Sequence, residues 1–246
     1  MIGGENMFTL IFGIAVCLML VALFIFVRVK KGGVEGVATK ALASFGFIAL
    51  ALFLSAAKVG QNSYSQYAMT LIVCGLVCGL IGDILLDLKV VYPFHEDKYL
   101  TCGMISFLVG HLFFNGAMTL IFIDKNATSL LVPMIIILAV SAVLAVALWF
   151  VTSRFMGLNY GKHAVLSTIY AGVLLFTTIF SIYLTIVTLN QEMFILAVGF
   201  VLFLASDLVL SLQYFGGKQS QKSLIIVNHT LYYLAQILIA MAIYFI

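Results

Sequence analysis

The chain has 246 residues, 64% of them hydrophobic and only 9% charged, with two prolines and a mean hydropathy of +1.23. That composition excludes a water-soluble core and leaves a polytopic membrane protein. The net charge of +3 is no nucleic-acid signal, because the basic residues sit between apolar runs rather than on one face.

Eight apolar runs come near the roughly 20 residues that cross a hydrocarbon core. The first, Met7 to Val27, follows a leader without the basic residues of a signal peptide and without a small-residue cleavage site before Arg28, so it stays as a helix. The second, Ala41 to Ala57, is short, and Lys40 and Lys58 are expected to snorkel from its two ends. Then come Ala68 to Leu86, Leu100 to Ile123, and Leu130 to Val151, which carries Pro133 in its first turn, where proline is tolerated. The last three are Ala164 to Leu189, Met193 to Phe215 and Leu224 to Ile246. All linkers are short, so residues 1–246 read as a single all-α domain of eight transmembrane helices. Cys17, Cys74, Cys78 and Cys102 lie in or beside these runs without C-x-x-C spacing and read as free packed thiols.

Orientation follows from the basic residues of the short loops. Arg28, Lys30, Lys31, Lys40, Lys89, Lys98, Arg154, Lys162, Lys218 and Lys222 fall in one set of alternate loops, against Lys58 and Lys125 in the other. The excess puts both termini outside and the first, third, fifth and seventh loops in the cytoplasm.

The chemistry concentrates in Gly82-Asp83-Ile84-Leu85-Leu86-Asp87 and its echo, Ser206-Asp207-Leu208-Val209-Leu210-Ser211. An aspartate inside a membrane-spanning run costs several kcal/mol unless it is paired, neutralised or in a wet cavity. Both runs go from outside to cytoplasm, and at the helical rise Asp83 lies about 9 Å before Lys89, and Asp207 about 13 Å before Gly216-Gly217. The two carboxylates thus share a leaflet and are expected to meet in one cavity and share a proton. Counted the same way, His229 enters about 10 Å past Lys222 and Tyr170 about 12 Å past Lys162, with His111 and Asn115 near or beyond the midplane and Lys40 at the cytoplasmic mouth. The outer half of the same helices is nearly featureless.

The echo also hints at a four-plus-four parallel repeat, since each aspartate is followed one helix later by a histidine, His111 or His229. Blander readings stand beside the sharp one. Asp83 also reads as a structural partner of Lys40, and Asp207 as an acid locking the last two helices through His229. Asp87, at the water boundary, reads as solvated or as a helix-end charge, and His95 and His163 belong to the interface. His111, Tyr232, Tyr233 and Gln236 are open between substrate contact and interhelical hydrogen bonding.

As an ordered set, Gly82-Asp83 with Leu86, the Phe107-to-His111 segment, Tyr170, Ser206-Asp207 with Leu210, and Tyr233-Leu234-Ala235-Gln236 resemble the lysoplasmalogenase family, the YhhN-like eight-helix membrane proteins. The family usually shows Thr-Lys-Pro entering its second helix, where this chain has Thr39-Lys40-Ala41. The resemblance implies hydrolysis of the vinyl-ether bond of a lysophospholipid substrate, a lysoplasmalogen, giving a fatty aldehyde and a glycerophospho-headgroup, with no metal cofactor. It implies a multi-pass position in a lipid bilayer, here that of a bacterial inner membrane.

The residues suit that reaction. A vinyl ether resists nucleophiles until its β-carbon is protonated, after which water captures the oxocarbenium ion. One carboxyl in low dielectric can donate while a second, ionised, stabilises the cation and activates water, as paired carboxylates do in glycosidases and aspartic proteases. Asp83 and Asp207 are therefore the candidate catalytic pair. Lys40, His111, Asn115, Tyr170, Ser206, His229, Tyr232, Tyr233 and Gln236 are the candidate substrate-binding residues, Lys40 for the phosphate. A metal-dependent hydrolase using Asp83, Asp207, His111 and His229 and a proton-coupled carrier remain as alternatives.

Overall fold

The computed structural model describes residues 2–60, 62–125, 129–218 and 221–246, and the side chains of all of these except 2–6 and 125. The leader and the Lys125 side chain, used above for targeting and orientation, therefore lie outside the described side chains. Among the described residues there are eight long helices and no strand: α1 Ile2–Lys30, α2 Gly33–Ala56, α3 Ser63–Val91, α4 Glu96–Lys125, α5 Leu131–Phe155, α6 Ala164–Thr188, α7 Gln191–Tyr214 and α8 Lys222–Ala242. Each is long and apolar enough to cross a membrane.

The helices outrun the apolar stretches at most ends, because backbone hydrogen bonding continues into the interfacial turns after hydropathy has faded. The largest difference is at α2. Gly32 and Gly33 take positive φ, 66° and 58°, a backbone that glycine adopts without a Cβ penalty, and so the chain turns there, seven residues before Lys40. Lys40 is consequently not at the mouth of the helix but about 10 Å inside it. Its side chain is 4% exposed, and it does not snorkel.

Sequence neighbours pack together except across the α4–α5 connection, α3 against α4 and α7 against α8 most extensively, and α8 also touches α1, α2 and α3. α6 bridges to α4 as well as to α5 and α7. The central contacts carry Phe47, Phe122, Phe180, Phe200, Phe203 and Tyr233, all essentially inaccessible, whereas α5 turns most of its surface outward.

The α3–α4 seam depends on small residues, as close helix packing in lipid does. A Cβ added to Gly110 would stand 3.1 Å from the Gly75 carbonyl oxygen and 3.3 Å from Cys78 Cβ, both held by α3 itself. Neither neighbour is the flexible end of a side chain. Gly110→Val is expected to lower stability by about 1–3 kcal/mol, the usual cost of overpacking, read as a lower thermal midpoint in detergent.

Candidate functional site

Seven helices enclose one cavity at the end of the bundle where α2, α4, α6 and α8 begin and α3, α5 and α7 end. Along their helices, Lys40, Asp83, Tyr170, Asp207 and His229 all stand about 9–12 Å from that end, which sets them in one layer. All five line the cavity, together with Ser206 and Tyr232. Most of the remaining wall is apolar, including Leu86, Leu100, Met104, Phe107, Leu174 and Leu204. About 1000 Å³ of space lies between these walls, counting the part that is open solvent at the mouth.

The two aspartates have different surroundings. Asp83 is 2% exposed. Its Oδ1 lies 3.3 Å from Lys40 Nζ, while its Oδ2 accepts hydrogen bonds from Ser44 Oγ at 2.6 Å and Tyr232 OH at 2.8 Å. Three donors around one carboxylate, one of them cationic, favour its charged form. Asp207 is half-buried and accepts a hydrogen bond from Tyr170 OH; it has no cationic partner among the described residues. No hydrogen bond joins the two carboxylates, so the expectation of one directly shared proton gives way to a division. One acid is charge-compensated and the other is not.

Lys40 is shared. Its Nζ lies 3.2 Å from Asp87 Oδ1, on the turn of α3 after Asp83, and Asp87 Oδ2 in turn lies 3.3 Å from Arg28 Nη1 of α1. The expectation that Asp87 is solvated or caps a helix is therefore corrected: it is 1% exposed, because α3 continues a full turn past it and α1 delivers a guanidinium to it. Two cations and two carboxylates balance, as charges removed from water must. The outcome for Asp83 is that its reading as a partner of Lys40 and its place on the cavity wall hold together.

The aromatic and amide groups of α8 support this cluster from behind. Gln236 Nε2 donates to Tyr232 OH at 2.9 Å, and Tyr233 OH donates to the Lys40 carbonyl and meets Ser44 Oγ, both at 3.1 Å. Gln236 and Tyr233 do not themselves line the cavity. His229 Nδ1 bonds the Ile225 carbonyl at 2.7 Å; a carbonyl only accepts, so that nitrogen carries hydrogen and Nε2 is the ring's acceptor when neutral. Asp207 is not locked to His229. Asn228 Nδ2 instead ties α8 to α7 through the Ser206 carbonyl and hydroxyl, at 2.8 and 3.1 Å.

Two candidates sit apart from the cavity. Asn115 donates to Thr177 Oγ1 at 3.0 Å, joining α4 to α6. His111 is 1% exposed and packed among Phe114, Tyr170, Phe200 and Phe203. With His111 set among rings, Asp83, Asp207 and His229 are not joined by it, and no group of three or more His, Cys, Asp or Glu that could hold a metal ion is found among the described residues. His163, assigned to the interface, is largely buried there against Asp97 at 3.1 Å.

Sequence reasoning missed Ser44, Asp87, Asn228 and Arg28 as members of this cluster. Ser44 had a signal, since it follows Lys40 by one helical turn inside an apolar run and so shares its face. Asn228 neighbours His229 in sequence but its partner, a backbone carbonyl on another helix, leaves no trace there.

A family model described as the YhhN family matches residues 37–243. The chain belongs to the YhhN family. That family includes lysoplasmalogenases, and the match runs through the helices of the cavity from within the first turns of α2 to the end of α8, while α1 precedes it. Neither a curated protein nor a solved structure matches the chain significantly.

Proposed function

We propose that this YhhN-family protein is a lysoplasmalogenase-type hydrolase that cleaves the vinyl-ether bond of a single-chain ether lysophospholipid. What carries the reading is the unequal pair of acids on one apolar-walled cavity: Asp83 compensated by Lys40, Asp207 by no cation among the described residues. Asp207, neutral, is the donor. Its proton passes to the β-carbon of the alkenyl group as the carbon–carbon π bond breaks, leaving an oxocarbenium ion and an Asp207 carboxylate. Asp83, ionised, faces that cation and takes a proton from the water that adds to it, which gives a hemiacetal. The hemiacetal collapses as Asp83 gives its proton to the headgroup oxygen and the hemiacetal hydroxyl gives its own to the Asp207 carboxylate, which breaks the carbon–oxygen bond, releases fatty aldehyde and glycerophospho-alcohol, and restores both acids. Tyr170 aims the donor, and Ser44 and Tyr232 hold the base. The alkenyl chain occupies the apolar wall formed by Phe107, Leu174 and Leu204.

In this reading the cavity mouth opens on the cytoplasmic face, the side that the excess of basic residues in its loops favours, both termini are outside, and the bilayer is a bacterial inner membrane. Lys40 is turned inward to two carboxylates, so in this scheme it sets the charge of Asp83 instead of holding phosphate. Purified protein in detergent, given a panel of alkenyl, alkyl and acyl lysolipids with and without excess chelator, is expected to release aldehyde from the alkenyl substrates alone, undiminished by chelator. Mass spectrometry distinguishes the products. Fatty acid from the acyl substrates, with no aldehyde, overturns the reaction class; loss of aldehyde in chelator overturns a purely carboxylate mechanism.

A further inference from the structure

We propose that α1 is a working part of the site, with Arg28 as a positioning residue that acts through Asp87 to reserve Lys40 for Asp83. The inference rests on the hydrolase reading above and goes beyond the matched family segment, which begins at residue 37 and leaves α1 outside. Four observations meet at one place. Lys40 Nζ is nearly equidistant from Asp87 and Asp83, at 3.2 and 3.3 Å, so with these two carboxylates alone a single ammonium would be divided. Arg28 Nη1 stands 3.3 Å from the far oxygen of Asp87, with the Arg28 side chain only 13% exposed.

Room for that approach is provided by Gly36 on α2, where an added Cβ would lie 3.3 Å from Arg28 Nη1 and 3.5 Å from its Cδ. One turn before Arg28, Phe24 is wholly buried and packs its edge on His229 and Tyr233, with ring centroids 4.9 and 5.5 Å away. α1 is therefore seated against the cavity wall by an aromatic anchor, and its guanidinium arrives at a fixed height. With Arg28 on Asp87, the four charges pair two to two and Lys40 can serve Asp83. Without Arg28, the Asp87 carboxylate draws Lys40 to itself, and Asp83 loses either its partner or the geometry of that partner.

The test compares wild type with Arg28→Gln, Arg28→Lys and the double variant Arg28→Gln with Asp87→Asn, scored by aldehyde release from an alkenyl lysolipid. Arg28→Gln is expected to lower kcat about 10- to 100-fold, the loss that follows when the partner orienting a metal ligand is removed, taken here as the analogue for a partner that orients a charged site residue, with KM little changed because Arg28 is not on the cavity wall. Arg28→Lys keeps the charge and retains most of kcat. The double variant removes one charge of each sign, returns Lys40 to Asp83 alone and recovers kcat, an outcome that a merely structural arginine would not give. If Arg28→Gln does not fold, the double variant against wild type decides by the same criterion. Wild-type kcat in Arg28→Gln, a main effect on KM, or a well-folded double variant no more active than the single one overturns the role of Arg28 while leaving the hydrolase reading standing. A wild-type protein that releases no aldehyde overturns that reading and this inference together.

Discussion

Asp207→Asn should release aldehyde about 10²- to 10⁴-fold more slowly than wild type, the span that a positioned general acid contributes, while folding as wild type does. The amide is nearly isosteric, and its oxygen can still accept the Tyr170 hydroxyl hydrogen bond that joins α6 to α7. What it lacks is a proton acidic enough to move to carbon. Because Asp207 has no cationic partner among the described residues, the substitution strands no buried charge, and the thermal midpoint should stay where it is. Turnover and midpoint measured on the same detergent preparation separate a chemical defect from a structural one. Turnover near wild type would remove Asp207 from the mechanism. A lower midpoint with proportionate loss of activity would make it a packing residue.

How far the site was legible in sequence depends on which contacts lie within one helix and which lie between helices. Asp83 and Asp207 announced themselves because a carboxylate inside an apolar run has no inexpensive explanation, and counting residues from basic loops set both at one depth. The cavity's shared layer follows from the same count applied to Tyr170 and His229. Lys40 was misjudged because hydropathy was used to start α2 at Ala41, although Gly32-Gly33 carries the turn signal and Glu35 the acidic first turn of a helix that begins earlier. Once α2 begins at Gly33, Lys40 and Ser44 fall one turn apart on one face. Arg28 and Asp87 were beyond reach for a different reason. Each looks like an ordinary interfacial charge, and only the reach of the Arg28 side chain past Gly36 of α2 to α3 turns them into a pair. Pairings between distant helices leave no periodicity in one sequence, and so the charge balance of the site emerges only in the packed bundle.

Lys40→Met should be the most damaging single change in the protein, because it acts on stability and on chemistry at once. Lys40 is the only cation within ion-pairing distance of Asp83 among the described residues, and it also shares Asp87 with Arg28. Removing one partner of a buried ion pair costs about 3–5 kcal/mol, since the charge left behind has neither water nor counter-ion. Methionine fills the space of the lysine stem, so little of the loss comes from a cavity. The protein can reduce the cost by protonating Asp83, but then the base of the proposed mechanism is gone, and activity should fall even in whatever fraction remains folded. Adding Asp87→Asn discriminates between the two effects. It leaves Arg28 without its carboxylate and gives Asp83 no new cation, so aldehyde release should remain lost in the double variant whatever happens to its thermal midpoint. Lys40→Met with a wild-type midpoint and wild-type turnover would mean that Asp83 needs no counter-charge, and the division of labour between the two aspartates would have to be given up.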